Sequence, residues 1–255
     1  MSDPITLYGF TAVPASAQAL LASTPAYPRQ SSAPAPIPAR DTPMPNTPLA
    51  VRINSYAKAH LPEPTYNHSL RVYHYGLAIK RHRFPFPDWA FSDETYFLAC
   101  VLHDIGTAEE HITATRLSFE FHGGFLALDL LLQEAEGSAA PREQAESVAE
   151  AIIRHQDLCT MGKITAVGQL LQLATIFGTR RRPRTTDNTG AYADLVHPDT
   201  ITDVSKHYPR HHWSQCFAAT IRRENSLKPW AHTTALGEKD FPAKVLENEL
   251  MKPFE

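Results

Sequence analysis

Cysteine is scarce in this chain of 255 residues, which contains only Cys100, Cys159 and Cys216. The three are far apart, and two of them lie inside apolar runs, LACVL and QCFAA. An odd number of widely spaced cysteines does not suggest a disulfide framework. We therefore expect all three to be reduced and buried, as in a cytosolic protein.

Long apolar runs and a strong excess of charge are missing as well. No stretch approaches the roughly 18 apolar residues that a membrane-spanning helix needs. Residues 1–25 lack the basic start and the sustained apolar stretch of a secretory signal. The formal net charge of −3 provides no field that attracts nucleic acid or an anionic membrane. We expect a cytoplasmic protein that binds a small neutral molecule and that binds neither nucleic acid nor a membrane.

The composition itself is that of an ordinary globular protein, with 43% hydrophobic and 20% charged residues. Residues 24–48 contain eight prolines, too many for helix or sheet. We predict an extended N-terminal arm over 1–48, with 24–48 as its proline-rich linker, followed by one folded domain over 49–255.

Helical periodicity begins near Val51 and predicts an all-α orthogonal bundle. One helix, with Thr65 as its N-cap, carries His68 and runs to about Arg83. A nearly all-apolar helix covers 94–105 and stops at a glycine. Further helices are predicted over 142–155, 163–177, 199–206, 213–226 and 242–252. No strand-like alternation of useful length is present.

An ionisable doublet, His103–Asp104, ends the apolar run FLACVL. Burying such a doublet is costly unless a metal ion or another partner satisfies it. Adjacent helical residues diverge by about 100°, so both bind one ion only if other elements complete the shell. His68, on the preceding helix, is the nearest candidate. Imidazole and carboxylate ligands suit zinc, and Fe(II), Mn or Co are equally compatible with them.

Most of the thirteen histidines are expected to be structural or surface residues. This class contains His60, His74, His82, His111, His197 and His207. His155 differs because it shares a helix face with Val148 and Ile152, so its side chain should point inward. Two interpretations of His155 stay open: an acid/base group, or a buried histidine bonded to a helix carbonyl.

Several segments resemble the fungal cyanamide hydratases, which are HD-domain metalloenzymes. They are TYNHSLRV at 65–72, LHDIGTAE at 102–109, AEAIIRHQD at 149–157, GQLLQLAT at 168–175, DNTGAY at 187–192 and the terminal LMKPFE. The order of His68, His103–Asp104 and a later Asp is similar to the H…HD…D signature of the superfamily. Apart from the proline-rich stretch, the resemblance covers almost the whole chain.

The resemblance implies an HD-domain fold and a homo-oligomeric enzyme that hydrates cyanamide to urea at zinc. It implies the metal ligands His68, His103, Asp104 and Asp187. Bound zinc lowers the pKa of water to about 7, so that metal-bound hydroxide can attack the nitrile carbon. Asp104 is the first candidate for taking the proton and returning it to the nitrogen, and His155 is the second.

Several other side chains near these segments are considered for a role in the site. Thr107 and Glu109 closely follow the doublet and are candidates for orienting substrate or water, although a solvated loop end fits Glu109 equally well. Arg154 is expected to be a structural ion-pair partner, because cyanamide carries no charge. Trp230 and His232 are candidates for lining a pocket, although core packing or a subunit contact is the favoured interpretation of Trp230.

One departure from the family pattern concerns the fourth ligand. Residues 178–186, GTRRRPRTT, separate Phe177 from Asp187, whereas the acidic residue of the similar enzymes follows the apolar helix closely. The insertion is either a solvated loop whose ends meet, which leaves Asp187 at the metal, or the product of a misplaced splice boundary. A nucleic-acid contact by RRRPR is the third reading, without a wider basic face to join.

Other functions remain open. A nucleotide phosphohydrolase is the first alternative, but such HD proteins commonly have a Lys where Thr107 stands. A hydratase of another small nitrile or an isocyanide is the second. A metal-free, non-catalytic oligomer is the third.

Overall fold

The computed structural model describes residues 3–23, 33–135, 137–179, 192, 194–248 and 250–255. Almost all of its regular structure is helical, which confirms the all-α prediction. The helices are α1 (Pro4–Leu7), α2 (Ala17–Ser23), α3 (Pro48–His60), α4 (Glu63–Arg83), α5 (Asp93–Leu102), α6 (Glu109–Ala114), α7 (Phe119–Leu132), α8 (Arg142–Arg154), α9 (Ala166–Thr179), α10 (Pro198–His207), α11 (Trp213–Leu227) and α12 (Asp240–Leu246).

Helix α4 lies in the centre of the bundle. Nearly every residue from Thr65 to Ile79 is buried, and the helix packs against α5, α9, α10 and α11. A helix that is buried on all sides must be surrounded by other elements. A side chain on α4 therefore projects into the interior of the protein, whichever way it points.

Three predicted helix ends were wrong. Helix α4 begins at Glu63 rather than after Thr65, with proline in its first turn, where the missing N–H costs nothing. Helix α5 is capped by Ser92 and ends at Leu102, before the predicted end at residue 105. Helix α12 ends at Leu246, and a short 3-10 turn, Lys252–Phe254, follows instead of a continuous helix.

A small antiparallel sheet joins β1 (Ala12–Pro14) to β2 (Lys163–Thr165), with Val13 opposite Ile164. The prediction that residues 163–165 begin a helix was wrong, because these residues pair with a distant segment. Val13 and Ile164 are both buried, so the sheet attaches the N-terminal segment to the hydrophobic core. The division of the chain near residue 48 stays a prediction.

The three cysteines are free, but only Cys100 is buried. The prediction of burial was wrong for Cys159, which is exposed in the loop between α8 and β2, and for Cys216, which is partly exposed on α11. Within the part of the chain that the structure describes, no helix combines the length and the apolarity that a membrane crossing requires.

Candidate metal centre

Three buried side chains converge beside α4: His68 from that helix, and His103 and Asp104 from the end of α5. The Nε2 atoms of His68 and His103 are 3.3 Å apart. Asp104 Oδ2 lies 3.2 Å from His103 Nε2 and 3.8 Å from His68 Nε2. Their ligand atoms are close enough to hold one metal ion.

The doublet lies at the C-terminal end of α5, where the helix gives way to a turn. His103 keeps helical dihedral angles, whereas Asp104 leaves the helix at φ −100° and ψ 7°. A 3-10 turn, Ile105–Thr107, follows, and we call residues 103–107 the doublet turn. The two adjacent side chains nevertheless reach the same point, because Asp104 Oδ2 lies 3.2 Å from His103 Nε2.

Thr107 and Gly106 fix the shape of the doublet turn. The Thr107 hydroxyl donates a 2.6 Å hydrogen bond to the backbone carbonyl of Asp104. A Cβ at Gly106 would lie 2.1 Å from the carbonyl oxygen of Phe119, so only glycine allows α7 to pack this closely. Thr107 thus contacts the backbone of Asp104 rather than the cluster itself.

The hydrogen bonds of two histidines define their tautomers. His103 Nδ1 lies 2.7 Å from the Cys100 carbonyl, and His155 Nδ1 lies 2.6 Å from the Ile152 carbonyl. A carbonyl only accepts, so each Nδ1 carries the proton and donates it. In the neutral rings, each Nε2 then presents a lone pair. His155 Nε2 is 3.9 Å from Asp104 Oδ1, so His155 points inward as predicted.

The donor set fits a metal ion. Both carboxylate oxygens of Asp104 and the Nε2 of His155 are buried and have no hydrogen-bond partner among the described residues. Several acceptors that converge without a donor are unfavourable unless a cation or proton lies between them. Two imidazole nitrogens and a carboxylate are typical ligands of zinc and of neighbouring divalent ions.

The electrostatics favour the metal-binding forms of His68 and Asp104. Burial lowers the pKa of His103, but attraction to Asp104 outweighs it and leaves that pKa raised. Burial, followed by the charge of His103, lowers the pKa of His68 well below its usual value. Burial also lowers the pKa of His155, with a further contribution from His103. Burial raises the pKa of Asp104, but attraction to His103 outweighs it and leaves that pKa lowered. His68 is therefore neutral and Asp104 ionised near pH 7.

The sequence analysis missed a buried carboxylate, Glu120. It is fully buried on α7, and its charge acts on the pKa of His155. Glu120 Oε1 lies 3.5 Å from His232 Nδ1, and His232 Nε2 lies 3.0 Å from Asp157 Oδ1. An ionisable residue inside the apolar segment FEFHGGFLALDLLL was the available signal. These groups form a polar path from the neighbourhood of His155 to the partly exposed Asp157.

The remaining predicted residues have other positions. Glu109 is exposed and forms an ion pair with Arg223, so the structure does not bring it to the cluster. Asp187 lies outside the described residues. Arg154 pairs with a carboxylate on its own helix and with Asp157, as predicted. Trp230 is 60% exposed, so the core-packing reading of this residue was wrong.

The HD domain family matches residues 65–182. The chain is therefore an HD-domain protein, a helical bundle in which a buried histidine lies next to a His–Asp doublet. The cyanamide hydratases DDI2 and DDI3 of Saccharomyces cerevisiae are each 42% identical to this chain over 214 residues, covering 84% of this chain and 88% of each relative. The chain belongs to the cyanamide hydratase family.

Proposed function

We propose that this protein hydrates cyanamide to urea at a divalent metal ion. The observation that carries the proposal is the convergence of His68, His103 and Asp104, whose ligand atoms lie within 3.8 Å of one another in the buried interior. The similarity to two cyanamide hydratases over most of the chain supports the choice of substrate.

We propose His68, His103, Asp104 and Asp187 as the ligands, and zinc as the ion. The described three supply two nitrogens and one oxygen, and a further carboxylate completes a four-ligand shell. Iron(II), manganese and cobalt accept the same donors. A bound divalent ion lowers the pKa of water to about 7 and polarises the nitrile.

The proton must move from oxygen to nitrogen during the reaction. Water adds across the carbon–nitrogen triple bond of cyanamide. When the first proton has left the attacking oxygen and one has joined the nitrile nitrogen, the product is HO–C(=NH)–NH2. Transfer of the second proton from the same oxygen to the same nitrogen gives urea. Asp104 Oδ1 is the first acceptor in this proposal. His155 is the second, because its Nδ1 is bonded to Ile152 and only Nε2, 3.9 Å from Asp104 Oδ1, can exchange a proton.

The other predicted residues have supporting roles or none. Thr107 keeps Asp104 in place through its hydrogen bond to the Asp104 carbonyl. We assign no catalytic role to Glu109, because its carboxylate is exposed and paired with Arg223.

The nucleotide phosphohydrolase alternative requires cations that are free to bind phosphate. Arg71 and Arg210 are the buried arginines whose charges act on His68. Arg71 donates to the carbonyls of Tyr208 and Pro209, and Arg210 donates to Glu255. Arg71 Nη2 and Arg210 Nη1 are nevertheless buried and have no hydrogen-bond partner among the described residues, so these are the groups that a phosphate would have to use.

A substrate panel tests the proposal. Purified protein is incubated with cyanamide, an aliphatic isocyanide or a nucleoside monophosphate, and urea, formamide and inorganic phosphate are measured. We expect urea from cyanamide at a rate at least tenfold above that of the other products. Phosphate release without urea would establish the phosphohydrolase instead, and faster formamide release would establish an isocyanide hydratase.

We also propose a cytoplasmic homo-oligomer. Trp230, Leu117 and Leu227 are exposed apolar side chains. Trp230 donates to the carbonyl of Arg116, next to Leu117, and Lys228, next to Leu227, donates to the carbonyl of Leu117. Apolar side chains at one place suit a subunit contact. Sedimentation equilibrium checks this: a monomer at micromolar concentration would contradict it.

A further inference from the structure

A second group of metal-ligating side chains lies at the surface, on α3 and α6. His60 is the last residue of α3, and Glu110 and His111 lie in the first turn of α6. Each offers one ligand atom, and these three atoms all lie within 4.8 Å of one another. We call His60, Glu110 and His111 the outer cluster.

Neighbouring contacts hold the outer cluster together. His60 Nδ1 lies 2.5 Å from Glu110 Oε1. The ring of Tyr56 stacks on His60 with centroids 4.1 Å apart, and its hydroxyl lies 3.4 Å from His111 Nε2. The side chains of His60 and Glu110 are 35% and 50% exposed, so an ion can reach them without any opening of the fold.

We propose that the outer cluster binds a divalent cation of the zinc or cobalt class, independently of the buried centre. Two imidazole nitrogens and one carboxylate oxygen form a typical zinc donor set, with one position left for water. Magnesium and calcium prefer shells made of oxygen atoms, so the two histidines select against them.

A third histidine lies beside the outer cluster. The ring of His122, on α7, is 5.5 Å from that of His111 between centroids. His122 Nε2 is buried and has no hydrogen-bond partner within the described ranges. His122 Nε2 is therefore a further candidate ligand atom beside the outer cluster.

The location connects this site to the doublet turn. Helix α6 begins at Glu109, two residues after Thr107, which ends the doublet turn. An ion held by His60 and His111 would cross-link the end of α3 to the start of α6. Metal binding to the folded state alone raises its stability by mass action.

The experiment uses the full chain with its buried centre already loaded. Zinc is titrated by calorimetry and cobalt by visible absorption, and the melting temperature is followed in both cases. The test variant carries His60→Ala and His111→Ala. The matched control carries His82→Ala and His207→Ala, which removes two histidines of other elements. Circular dichroism establishes that both variants are folded.

We expect the wild type and the control to bind one more ion per chain than the test variant. The affinity of the test variant for this ion should be at least tenfold lower. Added zinc should raise the Tm of the wild type and of the control by about 3 °C or more, and it should not raise the Tm of the test variant. Equal stoichiometry and affinity in test and control variants would overturn the proposal. So would a wild type that takes up no ion beyond the buried centre. Because no cyanamide is used, the outcome is separate from the proposed function.

Discussion

The indole of Trp213 lies flat against the imidazole of His68, with ring centroids 3.9 Å apart and planes inclined by 17°. Trp213 is fully buried, and Phe217 stacks on it at 5.1 Å. The stack restricts the rotation of the His68 ring. Its Nε2 is thereby held toward His103 and Asp104.

Trp213→Leu should weaken metal binding through loss of this stack. Groups that orient a ligand typically change metal affinity by about 10- to 100-fold when they are removed. Phe217→Leu is the matched control, because Phe217 contacts Trp213 and does not stack on His68. Competition with a chromogenic chelator measures both affinities. A Trp213→Leu chain that binds the ion as tightly as Phe217→Leu would show that the stack has no orienting role.

Glu255 stabilises the same region from the other side. Its Oε1 accepts hydrogen bonds from Arg210 Nε and Nη2 at 2.9 and 2.6 Å, and Arg210 lies over the Trp213 ring. Removal of one partner of a buried ion pair typically costs about 3–5 kcal/mol. Because Glu255 is partly exposed, we expect about 2–3 kcal/mol for Glu255→Gln.

Urea denaturation of Glu255→Gln measures that loss. Glu238→Gln removes an exposed carboxylate and should leave the free energy of unfolding within about 0.5 kcal/mol of the wild type. A Glu255→Gln chain as stable as Glu238→Gln would contradict the role of the Arg210 pair.

The catalytic role of His155 predicts a separation of metal binding from turnover. His155→Gln should keep the ion, because His68, His103 and Asp104 remain, while kcat falls by about 10²-fold or more. His74→Gln is the control: His74 is a buried histidine that contacts Thr42, and kcat per loaded chain should not change. If His155→Gln instead lost the ion, His155 would be a ligand.

Much of the buried centre was predictable from local patterns. The apolar run before His103–Asp104 predicts a buried helix with ionisable residues at its end. The helical periodicity of residues 142–155 places His155 on the buried face of its helix. What the sequence could not give was the end of α5 at Leu102. Just beyond that end, Gly106 packs against the backbone of Phe119, and the sequence does not reveal such a tertiary contact.

Helix α7 and the two strands escaped sequence reasoning for physical reasons. In α7, apolar residues occupy nearly every turn around the paired glycines Gly123 and Gly124, so no single helical face stands out. Strands β1 and β2 have three residues each and are about 150 positions apart. Strands this short show no alternation, and their pairing depends on the folded core.

Glu224 predicts a pH dependence of stability. Burial, followed by repulsion from Glu120, raises the pKa of Glu224 from 4.5 to about 7. The folded chain therefore holds this proton more tightly than the unfolded chain. The contribution of this group to the free energy of unfolding is fully present below about pH 4.5 and is lost as the pH rises through about 7.

Glu224→Gln should remove that part of the pH dependence. Glutamine retains an acceptor for the Phe119 N–H, to which Glu224 Oε1 is bonded at 2.7 Å. When the pH rises from 5 to 8, the free energy of unfolding should fall in both proteins. We expect the fall to be smaller in the variant than in the wild type, by up to about 3 kcal/mol. Denaturation midpoints at the two pH values measure the difference. Parallel losses in wild type and variant would mean that Glu224 is ionised throughout.

The most direct test of the account is removal and return of the metal. Chain stripped with a chelator should form no urea from cyanamide, and urea formation should return as zinc is restored to the wild type but not to His103→Ala. Full urea formation by wild-type chain that holds less than about a tenth of an ion per subunit would contradict the metal-dependent hydratase.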